Sequence, residues 1–278
     1  MTADGAVIFM ASLAAGLVSA LLAVRVALVT HPRSLTKLNV NRREVPVVLG
    51  FGVLVGCVAG SFAFMLARPL TDGENLGARA GLVLAVVALM FAAGFFDDRR
   101  GDERARGFRG HMSSARSGAL TGGLVKIAGG GLAGAIAALP AAGIGHKLEV
   151  FLLVPLTANL FNLLDRAPGR ALKVAFAFLV PLLIFGPLDM ALAVAGLVGA
   201  LVAVAGFDLR EKAMLGDAGA NPVGAVVGLA LAYSLEEPFR ALAVLAIGAL
   251  NVASEKISFS RVIDATPWLR MVDRIGRK

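Results

Sequence analysis

The sequence predicts an all-α protein, a polytopic bundle of about nine membrane-spanning helices with the N-terminus outside and the C-terminus cytoplasmic. Three observations carry this. Of 278 residues, 58% are hydrophobic and only 17% charged, and the mean hydropathy is +0.80, more apolar surface than a soluble core absorbs. The apolar residues gather in runs near membrane-crossing length, separated by short polar loops. The basic residues fall mainly on alternate loops, which is a topology signal.

The runs, in order, are Ala6–Thr30, Pro46–Ala67, Ala80–Phe96, Gly118–Leu139, Leu148–Leu164, Ala171–Pro187, Met190–Phe207, Val223–Leu235 and Ala241–Ala253. The last two are short, and the pair flanking Pro187 is compatible with a single re-entrant hairpin. The start, Met1-Thr2-Ala3-Asp4-Gly5, lacks the basic stretch of a cleaved signal peptide, so the first run reads as a retained helix. Many glycines, 33 in all, allow close helix packing.

About 21 of the 27 basic residues share one predicted side. They include Arg33, Lys37, Arg42 and Arg43 in the first loop. Arg99, Arg100, Arg104, Arg106, Arg109 and Arg116 follow the third run. Further along come Arg166, Arg170, Lys173, Arg210 and Lys212, and a basic tail. The opposite loops hold Arg68, Arg79, Lys147 and Arg240. The net charge of +8 is thus spread over loops rather than massed as a nucleic-acid surface. The one cysteine, Cys57, excludes an intrachain disulfide and a cysteine-based metal site.

Residues 1–253 read as the transmembrane domain and 254–278 as a basic amphipathic cytoplasmic tail. In the tail, Thr266-Pro267 is a helix start, with Trp268, Leu269, Val272 and Ile275 on one face and Arg270, Arg274 and Arg277 elsewhere. That pattern suits a helix lying on an anionic leaflet. Arg25, near the inner end of the first run, can snorkel. Lys126 lies deeper, among Gly122, Gly123, Gly129, Gly130 and Gly131, and either snorkels or faces the bundle interior and meets a phosphate.

Topology places four acids on the basic side without using their chemistry: Asp97, Asp98, Asp165 and Asp217. Charges at a membrane edge are costly enough to mark a site. Asp97-Asp98 ends the third run. Asn159, Asn162 and Asp165 recur at three-residue spacing along one helix, and amides in an apolar run need partners. Leu215-Gly216-Asp217-Ala218-Gly219 combines a carboxylate with glycines that admit a close ligand. Carboxylates and amides without a His or Cys cluster suit a hard, oxygen-bound cation such as Mg²⁺, and nearby arginines suit phosphate.

Those segments resemble the polyprenyl-phosphate N-acetylhexosamine-1-phosphate transferases, the superfamily that includes phospho-N-acetylmuramoyl-pentapeptide transferase (glycosyltransferase family 4). Asn41 to Pro46 with Gly50 is similar to the family's first cytoplasmic loop. Gly94 to Asp98 resembles its aspartate pair, Asn159 to Asp165 its Asn-x-x-Asn-x-x-Asp segment, and Gly216 to Gly219 its Gly-Asp-x-Gly. The resemblance implies transfer of a phospho-sugar from a UDP-sugar to polyprenyl phosphate at the cytoplasmic face of the cell membrane. UMP would be released, in cell-wall or surface-glycan assembly. It implies Asp97 as base with Asp98 beside it, and Asp217, Asp98 and Asp165 toward Mg²⁺. Asn159, Asn162, Asp165, Arg166, Arg170 and Lys126 would lie toward the nucleotide or phosphate.

Three departures bear on that implication. Arg166-Ala167-Pro168-Gly169 stands where the family has Gly-x-Asp/Asn-Gly. His31, His111 and His146 do not rebuild its histidine-rich segment, and Ser254–Lys278 replaces its final span. A non-catalytic member that binds lipid or nucleotide is therefore the second class. A secondary transporter is the third, disfavoured because the acids sit at helix ends rather than the midplane. A homodimer is compatible with the chain but not indicated by it.

Overall fold

The computed structural model describes residues 3–67, 76–100 and 122–277. Arg68, Arg104, Arg106, Arg109, His111, Arg116, Lys278 and the first turn expected of the fourth run lie outside them. Among the described residues there are eleven α-helices and one two-stranded hairpin. They are α1 (Ala3–Thr30), β1 (Thr36–Leu38), β2 (Glu44–Pro46), α2 (Leu49–Ala67), α3 (Leu76–Arg100) and α4 (Gly122–Ala138). Then come α5 (Gly143–Leu164), α6 (Arg170–Phe185), α7 (Leu188–Asp208), α8 (Asp217–Ser234), α9 (Phe239–Ser254), α10 (Phe259–Ala265) and α11 (Pro267–Arg274).

Each predicted apolar run falls on one helix, but the expected count of nine spans is not what the helix lengths give. Among the described residues five helices, α1, α2, α3, α5 and α7, are long and apolar enough to cross a membrane. A sixth is reached if α9 and α10, bent by 95° at their junction, form one broken span. Of the other runs, α6 and α9 have 16 residues each, short of the ~20 a bilayer asks for, and the fourth run begins outside the described residues. Pro187 separates α6 from α7 as two distinct helices, with its backbone at the N-cap of α7.

The core is α7 and α8, buried along most of their length, with α1, α2, α3, α5 and α6 around them. A helix buried on all sides needs small residues where others cross. Gly60 on α2 and Gly196 on α7 meet backbone to backbone, and a Cβ on Gly196 would lie 2.6 Å from the Gly60 Cα. Gly16 on α1 closes on the same point of α7. Close backbone approach maximises dispersion contact where lipid offers no hydrophobic drive for association.

Two of the basic residues on the sparse side are neutralised internally. Arg79 pairs with Asp189 at 3.2 Å and lies over the Tyr233 ring at 3.8 Å, and Arg240 pairs with Glu149.

Gly196→Val is expected to destabilise the bundle by at least the ~1–3 kcal/mol of an overpacked site, because backbone cannot move aside. Gly206→Ala, with open space around its Cβ position, is expected to leave the melting temperature in detergent unchanged. Equal melting of both variants would contradict the α2–α7 crossing.

Candidate functional site

The polar end of the bundle is built from segments far apart in sequence. The β1–β2 hairpin turns Lys37 back over the bundle, and it is held there from below. Met214 N–H donates to the Pro46 carbonyl at 2.8 Å, and Leu49 N–H donates to the Met214 carbonyl at 3.1 Å. At its tip, Asn39 and Asn41 both donate to the Glu211 carboxylate, at 2.6 and 2.7 Å.

Beneath the hairpin lies Asp98, the end of α3 and only 2% exposed. Its Oδ1 accepts from Lys37 Nζ at 2.8 Å, and its Oδ2 accepts from the Ala218 N–H at 2.8 Å. The second bond caps α8. The N-cap residue of α8 is Gly216, which has no side chain to satisfy the first free N–H groups. Asp98 does so from another helix, where the positive end of the helix dipole also favours an anion. Gly216 is required twice: its φ of +62° is left-handed, and a Cβ would fall 2.7 Å from Asp98 Oδ2.

Lys126 resolves in favour of the interior. Its ammonium bridges Asp97, at 2.7 Å, and Asp217. One lysine of α4 thus ties the end of α3 to the start of α8. Lys37 and Lys126 together give the aspartates of two motifs internal counter-ions.

Asp165 caps the end of α5 and completes the acidic cluster. Burial, and then the charges of Asp208, Asp217 and Asp98, push its carboxyl well above the ordinary range, opposed by the Gly216 backbone N–H. Asp208 was not singled out from the sequence, although it ends an apolar run just as Asp97-Asp98 does. Its Oδ2 accepts from the Gly169 N–H at 2.8 Å and holds the loop between α5 and α6. Lys37 was also missed, because a first-loop lysine reads as a topology signal.

The remaining candidates separate. Asn159 turns away from the acids and donates to Asn251 Oδ1 on α9 at 2.6 Å; Asn251 in turn donates to the Leu156 and Ile247 carbonyls. Its amide is paired by a helix that the three-residue spacing did not reveal. Asn162 is half-buried, and Arg166 is exposed. Asn221, one turn beyond Asp217, is buried with its Nδ2 unpartnered among the described residues.

Arg170 is buried, and the expectation that it reaches a phosphate is replaced by a different contact. Its Nε and Nη2 donate to the two oxygens of Asp273 on α11 at 2.8 and 3.0 Å, and Nη1 donates to Ser260 Oγ at 2.9 Å. Arg277 also grips Asp273 and donates to the Pro168 carbonyl at 2.8 Å. The segment from α10 to Arg277 is therefore strapped over the 165–170 loop, while Trp268, Met271 and Ile275 remain exposed. Burial raises the Asp273 carboxyl, but the bonds and charges of Arg170 and Arg277 outweigh it and hold it below its ordinary value.

The oxygen-rich donor set has the chemistry Mg²⁺ prefers. Among the described residues, no three His, Cys, Asp or Glu side chains are placed to share an ion, though Mg²⁺ commonly takes only one or two carboxylates together with substrate phosphates. Of the residues expected toward the metal, Asp98 and Asp217 are each paired with a lysine, and Asp165 feels the charge of both. What the site offers is paired acids and two ammonium groups. Comparison with known proteins adds no family assignment: no family model matches the chain, and no curated protein matches it.

A carboxyl whose folded value is raised stabilises the fold below its unfolded value, about 3.9, and loses that contribution as pH rises through the folded value. Asp165→Asn should therefore melt higher than wild type at pH 8 and show a smaller gain at pH 5, by thermal unfolding in detergent. A gain independent of pH would contradict the acidic cluster. Asp273→Ala leaves Arg170 buried without its partner and should cost about 3–5 kcal/mol. Faster limited proteolysis between residues 255 and 277 would report it, with Arg270→Ala, on an exposed position of α11, as the unaffected control.

Proposed function

We propose that this membrane protein is a polyprenyl-phosphate phosphoglycosyl transferase that moves a phospho-N-acetylhexosamine unit from a UDP-sugar onto polyprenyl phosphate. The observation that supports the reading most directly is the Lys126 bridge between Asp97 and Asp217. It joins two of the motif segments that carry the family resemblance, and the Asp98 cap joins them a second time. The site lies at the end of the bundle that carries most of the basic loops; on the positive-inside rule that end is cytoplasmic, where UDP-sugars are found.

In this proposal Asp97 accepts a proton from the lipid phosphate. The freed phosphate oxygen attacks the sugar-bearing phosphorus, forming one P–O bond while the P–O bond to UMP breaks and its electron pair leaves on the UMP oxygen. Lys126 and Lys37 neutralise the phosphates as they displace the carboxylate partners, and the work of the site is positioning and charge stabilisation. No step is assigned to a metal. A non-catalytic lipid- or nucleotide-binding member is the second reading, favoured by the lysines already engaged with Asp98 and Asp217 and by Arg170 being committed to the tail.

The test is formation of polyprenyl-diphospho-sugar and UMP by purified protein in lipid, across a panel of UDP-sugars, with Mg²⁺ and EDTA arms. Asp97→Asn and Asp217→Asn should each lower turnover by at least 10²-fold, in the range of general-base loss. Val180→Trp, at an exposed position of α6, should not. Absence of product with every donor, alongside retained nucleotide binding, would replace this reading with the second one.

A further inference from the structure

The C-terminal segment turns away from the helix that leads into it. α9 packs along α5, and α10 leaves α9 at 95°, so the chain beyond Ser258 runs across that direction. α11 follows Thr266, with Pro267 at its first position. It has eight residues, about 12 Å at 1.5 Å per residue, and is too short to be stable alone in water. Its helical form depends on what its faces touch.

Three faces can be told apart. Asp273 points inward, bonded by Arg170 and Arg277, with half-buried Leu269 one turn before it. Trp268, Met271, Val272 and Ile275 follow the i, i+3, i+4, i+7 spacing of a single stripe. All four are exposed, Trp268 by 63% and Met271 by 66%. Arg270 and Arg274, one turn apart and both exposed, run along the edge of that stripe. Because the one acid of α11 is the residue turned inward, the outward surface is apolar with only cations beside it.

The inward face is tied to the loop between α5 and α6. Arg170 holds both Asp273 oxygens, Arg277 donates to the Pro168 carbonyl at 2.8 Å, and Lys173 donates to the Val272 carbonyl at 3.3 Å. Leu209, just past α7, packs against both segments. A Cβ on Gly169 would collide with its side chain, and one on Gly276 would touch it at 3.4 Å. Loop and tail form one packed unit, and the loop begins at Asp165.

We infer that α11 is a docking surface for an anionic bilayer, and that the Asp273 strap makes the 165–170 loop part of the docked unit. The stripe supplies the apolar contact and the two arginines select anionic headgroups; a peripheral helix needs both signals. A tryptophan at the stripe suits the headgroup boundary, where one end of its ring is apolar and the other wet. A second copy of the chain fits this face less well, since two-fold pairing sets the same arginines against each other. The bilayer is also the surface the bundle itself occupies, so a short helix tethered to it docks at high effective concentration. The inference does not depend on what reaction the acidic site performs.

Trp268 is the only tryptophan in the chain, so its emission reports α11 alone. The test places full-length protein in vesicles of phosphatidylcholine, without and with about 30% phosphatidylglycerol. With the anionic lipid the emission should move to shorter wavelength, and quenching by acrylamide should fall by about twofold while quenching by brominated lipid rises. Salt at ~1 M, which screens charges beyond ~3 Å, should shrink the change. Arg270→Gln with Arg274→Gln should raise severalfold the phosphatidylglycerol needed for half of it, and Arg42→Gln, an exposed arginine of the hairpin, should not. In neutral detergent the same pair should leave proteolysis of the tail unchanged, because the strap to Arg170 is intact.

Amide exchange over residues 166–173, read by mass spectrometry on the same vesicles, follows the loop. It should slow when phosphatidylglycerol is present. Asp273→Ala should keep the emission change and lose that slowing; if this variant is unstable, Arg277→Gln releases the Pro168 carbonyl while Arg170 keeps its partner. Emission indifferent to phosphatidylglycerol, or one that follows the protein-to-lipid ratio at fixed lipid composition as a second copy would make it, would overturn the docking surface. Slowing of exchange that survives in both strap variants would overturn the coupling to the loop.

Discussion

The carboxylate of Asp98 is the junction on which the polar end of this bundle depends. It is buried, and a buried charge is tolerated only with strong partners. One partner is the ammonium of Lys37 and the other is a free N–H at the start of α8. Three consequences follow from that one group. The end of α3 is pinned to the start of α8, the β1–β2 hairpin is drawn down over both, and the residue before α8 must be a glycine. Gly216 has the left-handed backbone and the missing side chain that this contact demands.

A second ion pair works alongside the first. Lys126 neutralises Asp97 and Asp217 together, so three helices meet at one ammonium. In low dielectric such groups hold one another strongly and cost much when separated. That holds the acids close and leaves ammonium groups where an incoming phosphate would need them. Asp165 stands nearby, and among the described residues no lysine forms an ion pair with it; its own environment favours the protonated form. Paired and unpaired carboxylates therefore sit within one cluster, a condition under which acid and base roles separate.

The tail shows how a departure in sequence acquires its meaning from a contact. Arg166-Ala167-Pro168-Gly169-Arg170 looked like a loss of polar groups compensated by cations. In the folded chain Arg170 is a buried fork on Asp273, Arg277 closes over the Pro168 carbonyl, and Asp208 fixes Gly169 from the other side. The loop is held between α7 and α11. The amphipathic helix expected of residues 267–275 is present, with its apolar face outward and its one acid turned in.

Several features of this protein were legible in the amino-acid order alone. Apolar runs located the helices, because backbone polar groups in lipid must be satisfied within a segment. Charge placement gathered the acids at one end, and Asp97, Asp98 and Asp217 were marked because a carboxylate beside an apolar run is costly. What the order could not show was pairing. A three-residue spacing put Asn159 with Asp165, yet Asn159 bonds Asn251, nearly a hundred positions away. Lys37 and Asp208 looked like ordinary loop and helix-end charges until the hairpin and the 165–170 loop were placed against them. Whether α9 and α10 make one span likewise turns on the 95° bend between them, which no run of residues reveals. Periodicity and hydropathy are properties of neighbouring residues, whereas ion pairs and crossings join residues that only the folded bundle brings into contact.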